Sequence, residues 1–75
     1  MRAFVDDAGN AWEVVLGRES WGRIVAILVP RGDSGPVLEA PMDAAGYEEA
    51  GRELDEMSGE ALLRLLARAV PKDMG

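Results

Sequence analysis

The spacing of hydrophobic residues changes near Asp43. Before that residue, apolar and polar positions alternate in short runs separated by glycine, which is typical of β-strands. After it, apolar residues recur every three or four positions, as on one face of an α-helix. The sequence therefore predicts an α+β fold in a single domain over residues 1–75, with an antiparallel β-meander of three to four strands followed by two C-terminal helices packed on one face.

Four runs in the first half of the chain have the composition of strands. They are predicted at residues 2–6, 11–18, 23–29 and 37–40. The third run is apolar throughout, which indicates a central strand that is covered on both faces. The fourth lies between Pro36 and Pro41, and this arrangement is typical of a protected edge strand.

Two glycines indicate how the first three strands are connected. Gly9 and Gly22 are each preceded by two residues suited to a type I turn, and glycine accepts the left-handed conformation that follows such a turn. This predicts three-residue hairpin loops with a glycine bulge. The resulting register places Phe4 opposite Trp12, whereas loops one residue longer would put these two rings on opposite faces and lose a favourable aromatic pair.

The second half of the chain predicts helices at about residues 44–57 and 59–70. Asp43 and Ser58 are the expected N-caps, and Pro71 is expected to stop the second helix. The first helix has an inward stripe of Tyr47, Ala50, Gly51, Leu54 and Met57. The second helix has only a narrow polar strip, so it needs two apolar contacts: the sheet together with either the first helix or another chain.

The absence of histidine and cysteine limits the possible chemistry. Serine has no histidine to activate it, and the single lysine, Lys72, follows a helix-ending proline, where burial cannot readily lower its pKa. Zinc and disulfide reinforcement are also excluded. We therefore expect no enzyme activity, no cofactor and no metal site, and we expect no small-molecule ligand.

The remaining means of stabilising so short a chain is self-association. A domain of this size buries only about 60% of the surface that its unfolded chain exposes. The leading hypothesis is therefore a non-catalytic protein-interaction module that forms a homodimer. The residues expected to mediate self-association are Val15, Val25, Ile27 and Val29 on the sheet and Leu63 on the second helix.

The charge of the chain suggests an alternative function. The net charge is −6, with most of the acid in the second half, and this argues against a duplex nucleic acid as partner. The first helix, at 44–57, could instead imitate phosphates and inhibit a nucleic-acid-binding protein. The acidic surface in that case consists of Glu48, Glu49, Glu53 and Glu56.

A second candidate binding site lies at the second hairpin turn. The predicted register places Trp21 at the tip, flanked by Arg18 and Arg23, and Arg2 reaches the same end of the sheet. An aromatic ring among cations can bind a carboxylate, a phosphate or an acidic helix. The favoured alternative is that these arginines pair with carboxylates of the same chain, since most surface ion pairs have no ligand role.

Two features bear on localisation. The N-terminal residues become acidic after three apolar positions, unlike a secretion signal, and no apolar run is long enough to span a bilayer. Arginine greatly outnumbers lysine, which suggests a bacterial genome rich in G and C. We therefore expect a cytoplasmic bacterial protein with no membrane partner.

Overall fold

The computed structural model describes residues 2–19, 22–32 and 35–72, which form one antiparallel sheet and two helices. The elements are β1 (Arg2–Val5), β2 (Ala11–Arg18), β3 (Ile24–Pro30), β4 (Leu38–Pro41), α1 (Tyr47–Glu56), α2 (Gly59–Arg68) and β5 (Val70–Pro71). The strands lie in the order β1-β2-β3-β4-β5. The α+β meander with two C-terminal helices is therefore confirmed, and the sheet has one strand more than the sequence predicts.

The two hairpins have the predicted geometry. Gly9 and Gly22 adopt φ values of +87° and +81°, the left-handed conformation that completes each turn. In the first hairpin Phe4 lies opposite Trp12, and the second hairpin also has its predicted register. Turn chemistry therefore sets the strand alignment, and this decides which side chains share a face of the sheet.

The core lies between the helices and one face of the sheet. Alternate strand residues meet the apolar stripes of α1 and α2 there, and Leu28 at the centre is fully buried. Burial of such a side chain contributes roughly 1.5–3 kcal/mol. The buried members are Trp12, Val14, Ile24, Ala26, Leu28, Ala40, Met42, Ala50, Leu54, Leu62 and Leu65.

The start of α1 differs from the prediction. The helix begins at Tyr47, and its N-cap is Gly46 rather than Asp43, with no side-chain cap on that residue. The Oε2 atom of Glu49 accepts a hydrogen bond from the Ala45 N–H at 3.2 Å, so a carboxylate inside the helix reaches back to the preceding backbone. Tyr47 was expected to point inward, but its side chain is 42% exposed.

The end of α2 also differs from the prediction. Ser58 is the N-cap as expected, because its Oγ accepts from the Ala61 N–H at 3.1 Å. The helix ends at Arg68 instead of continuing through Val70, since a residue that precedes proline is restricted to extended conformations. Val70 and Pro71 pair with β4 as β5. Thus β4 is not the edge strand that its flanking prolines suggest.

Candidate functional site

The face of the sheet that points away from the helices, here named the outer face, has no element of the described chain packed across it. Val15, Ile27 and Val29 are half-buried by their neighbours on this face, and Val25 is only 4% exposed. At the two edges Val5 and Val70 are exposed. The four valine and isoleucine residues predicted for self-association therefore do share one face, although Val25 lies within it rather than on its surface.

At the centre of the outer face, the Ile27 side chain lies close to the backbone of β2 because position 17 is glycine. A Cβ atom added to Gly17 would lie 2.6 Å from Cδ1 of Ile27 and 3.6 Å from Cγ2 of Val25. The Ile27 side chain thus lies across the backbone of β2, in space that any larger residue at position 17 would occupy. Glycine here serves close side-chain approach rather than an unusual backbone conformation.

Charged side chains interrupt the apolar surface at defined positions. Oε1 of Glu39 on β4 lies 3.7 Å from Nζ of Lys72. Both side chains are partly shielded from solvent, with 20% of Glu39 and 34% of Lys72 exposed. On the other side of β3, Glu13 is half-buried on β2. Arg31 follows β3, and its N–H continues the ladder by donating to the Ala11 carbonyl at 2.9 Å.

Leu63 does not join this surface. It lies on α2, on the opposite side of the sheet, and is half-buried. With the turn between β1 and β2 it lines an open groove of about 280 Å³. The lining residues are Asp6, Asp7, Ala8, Leu63, Leu66 and Ala67. The structure therefore separates the helical candidate from the four sheet candidates.

The arginines predicted near the second turn have partners within the chain. Arg2 donates to the Leu54 and Asp55 carbonyls at 3.2 and 2.9 Å, and the Arg18 guanidinium lies 4.8 Å from the centre of the Tyr47 ring. Arg23 forms an exposed ion pair with Glu19 at 3.8 Å. These contacts are intramolecular, as the favoured alternative expects, but only Arg23 uses a carboxylate, whereas Arg2 uses backbone carbonyls and Arg18 an aromatic ring. Trp21 lies outside the described residues.

The acidic residues of α1 point to solvent. Glu48, Glu49, Glu53 and Glu56 are all exposed, and in the described part of the chain none of them forms a salt bridge. The last turn of α1 is acidic, which is unfavourable next to the negative end of the helix dipole. Arg2 offsets this effect by donating to the final carbonyls.

Sequence reasoning missed Gly17 and the pair formed by Glu39 and Lys72. Gly17 sits inside a predicted strand, where glycine signals close approach of another group, so its position was a usable signal. The ion pair depends on β5, whose first residue, Val70, is predicted to be the last residue of the second helix. Pro71 restricts the preceding residue, Val70, to extended conformations, and this restriction is the signal that would have predicted β5.

Among the described residues, neither helix combines the length and apolar character that a membrane crossing requires.

Comparisons with other proteins do not extend these observations. Searches against protein-family models, curated proteins and solved structures find no match for this chain.

Proposed function

We propose that this protein is a small non-catalytic interaction module that self-associates through the outer face of its sheet. The observation that carries the proposal is the one-sided packing of the helices, which leaves Val15, Ile27 and Val29 without a covering layer in the described chain. Two sheets pack face to face at about 10 Å when their facing residues are apolar. A second copy supplies such a face.

The size of the outer face sets the expected strength. Strands lie about 4.8 Å apart and advance about 3.3 Å per residue, so strands of 4, 8, 7, 4 and 2 residues offer on the order of 400 Å². Two copies would bury roughly 800 Å², which is below the usual range for stable specific interfaces and typical of weak, transient ones. We therefore expect a weak, reversible dimer with a dissociation constant in the high micromolar range.

Charge favours a second copy as the partner. The charged residues placed on the outer face by the described strands and their ends are three acids and three bases, so their charges cancel: Glu13, Glu19, Glu39, Arg23, Arg31 and Lys72. The chain as a whole carries −6, so two copies that meet through α1 would bring acidic surfaces together. Like charges across an interface are unfavourable, and the outer face carries no net charge that would repel a second copy.

Sedimentation equilibrium at concentrations from about 10 μM to about 1 mM, which bracket the expected dissociation constant, tests the proposal. The wild type should sediment above the 8.1 kDa monomer mass, and Ile27→Glu should return it to that mass by placing a charge at the centre of the outer face. Tyr47→Glu is the matched control, because it introduces the same charge at an exposed apolar residue on the helical side. A wild-type monomer, or equal behaviour of the two variants, would contradict the proposal.

A second candidate function is that α1 acts as a phosphate mimic. It is supported by the exposed carboxylates of this helix, which form no salt bridge in the described part of the chain. A nucleic-acid-binding protein that recognises them should lose binding to Glu49→Lys/Glu53→Lys but not to Ile27→Glu. Competition between this protein and a labelled oligonucleotide measures the effect, and unchanged competition by the charge-reversed variant would rule out the helix.

A further inference from the structure

We infer that the partner on the outer face is a second copy related by a twofold axis parallel to β3, and that Glu13 of each copy lies beside Lys72 of the other. The inference rests on the proposed self-association and adds its geometry. It predicts a reciprocal ion pair, formed twice in each dimer, as the contact that selects this arrangement.

The strand register places the two charges in one row across the sheet. Glu13 is opposite Val29 on β3. The pairing of β3 with β4 ends at Leu28 and Leu38, so Val29 and Val37, one position further along each segment, lie at about the same level. The Lys72 N–H then donates to the Val37 carbonyl at 2.8 Å. Glu13 and Lys72 therefore occupy the same level along the strands, on opposite sides of β3.

A twofold axis along β3 exchanges the two sides of the sheet while it preserves the level of each residue. The β2 side of one copy then lies over the β4 and β5 side of the other. Glu13 accordingly approaches Lys72 of the partner copy, while Ile27 of each copy lies near the axis. Such an isologous interface repeats each contact twice, so one favourable pair contributes in duplicate.

An axis perpendicular to the strands gives a less favourable arrangement. It places each strand over the same strand of the partner copy. When Ile27 lies at the axis, Glu39 of one copy faces Glu39 of the other, because Glu39 is paired with Ile27 and lies at the same level along the strands. Two carboxylates would then face each other in a partly desolvated interface. The axis along β3 instead places Lys72 between its own Glu39 and Glu13 of the partner copy.

The test uses two charge-reversed variants, separately and mixed. Glu13→Lys alone places a lysine against Lys72 at both contacts of the dimer, and Lys72→Glu alone places a glutamate against Glu13 at both contacts. Each variant should therefore self-associate about tenfold more weakly, or worse. An equimolar mixture should form a heterodimer close to wild-type affinity, because both contacts then join opposite charges. Because Glu and Lys residues have nearly equal masses, one of the two variants is uniformly labelled with 15N, and native mass spectrometry then separates the heterodimer from both homodimers. Sedimentation velocity gives the affinities. Glu53→Lys on the exposed side of α1 is the control for net charge.

The outcomes separate the geometry from the self-association itself. Recovery in the mixture supports the twofold axis along β3. A wild-type dimer that Ile27→Glu dissociates, combined with no recovery in the mixture, overturns the axis and leaves the proposed function standing. A wild-type monomer overturns both. Because a glutamate at position 72 would lie beside Glu39, Glu39→Gln/Lys72→Glu serves as a second partner for Glu13→Lys, and circular dichroism confirms that each variant is folded.

Discussion

The indole of Trp12 is hydrogen-bonded to the carboxylate of Asp6, with Nε1–H donating to Oδ2 at 3.0 Å. The other carboxylate oxygen accepts from the backbone N–H groups of Ala8 and Asn10 at 3.0 and 2.9 Å. One side chain therefore closes the first hairpin turn and also holds the polar edge of a core aromatic residue. Buried indole groups ordinarily find such an acceptor.

Asp6→Ala should lower the free energy of unfolding more than Asp7→Ala does. The first substitution removes the acceptor for Trp12 and for two turn N–H groups, whereas Asp7 is an exposed neighbour in the same turn. Urea unfolding followed by tryptophan fluorescence measures both variants. Equal effects would show that the carboxylate of Asp6 has no special role in the turn.

Stability should fall in acid through the same residue. The hydrogen bond from Trp12, followed by that from the Asn10 backbone, lowers the pKa of Asp6 below its usual value. A carboxyl group whose pKa is lower in the folded state stabilises the fold above its unfolded pKa, and this contribution is lost as pH falls through the folded value. Unfolding measured from pH 6 to pH 2 should show this loss below about pH 4.

Asp6→Asn cannot titrate, so it provides the control for that pH dependence. Its unfolding free energy should change less between pH 5 and pH 2 than that of the wild type. Parallel pH profiles for the two proteins would assign the acid sensitivity to other carboxylates.

Sequence reasoning predicted the hairpins well because the information there is local. Gly9 and Gly22 fix the turn geometry, and the turn fixes the register. The helix ends were less predictable. Asp43 has a side chain suited to an N-cap, but Glu49 instead accepts a hydrogen bond from the backbone that precedes α1. Val70 is not part of α2 and pairs with β4. The contact of Glu49 is one that a helix propensity does not contain, whereas Val70 before Pro71 is a local signal for the end of α2, and only its pairing with β4 is a tertiary contact.

The candidate site was also only partly predictable from the sequence. Alternation along β2 and β3 correctly placed Val15, Ile27 and Val29 on one face, because side chains in a strand alternate strictly. The position of Leu63 could not be read in this way, since it depends on which side of the sheet the helices occupy. The partners of Arg2 are backbone carbonyls of α1, and no pattern of charges in the sequence identifies them.

Arg2→Ala should destabilise the fold by about 1–2 kcal/mol, because it removes a charged donor from two carbonyls at the end of α1. Arg23→Ala is the matched control. Arg23 is on the surface and pairs only loosely with Glu19, so its removal should change stability by less than about 0.5 kcal/mol. Thermal unfolding of both variants compares them, and similar shifts would show that Arg2 does not stabilise α1.

Leu28 and Val29 are adjacent on β3 but point to opposite faces, so their substitutions should separate folding from association. Leu28 is fully buried in the core, and Leu28→Ala should cost about 2–5 kcal/mol of stability. Val29→Ala should cost about 1 kcal/mol or less because the side chain is half-buried, yet it should weaken the dimer. Chemical denaturation and sedimentation measured on the same samples decide this. A destabilised Val29→Ala with unchanged association would place the interface elsewhere.

Gly17→Ala tests whether the close approach of Ile27 to the backbone of β2 matters for association. The added methyl group would displace Cδ1 of Ile27, which is the flexible end of its side chain, so monomer stability should change by no more than about 1 kcal/mol. The displaced side chain would project from the face and weaken face-to-face packing of two sheets.

Gly51→Ala is the control for Gly17→Ala. The atom nearest to the added methyl group, Cδ1 of Leu16, lies 3.9 Å away, and the helix should gain about 0.5–1 kcal/mol of stability. Sedimentation should therefore show a weaker dimer for the first variant and an unchanged dimer for the second; identical dimers would mean that the position of Ile27 does not control self-association.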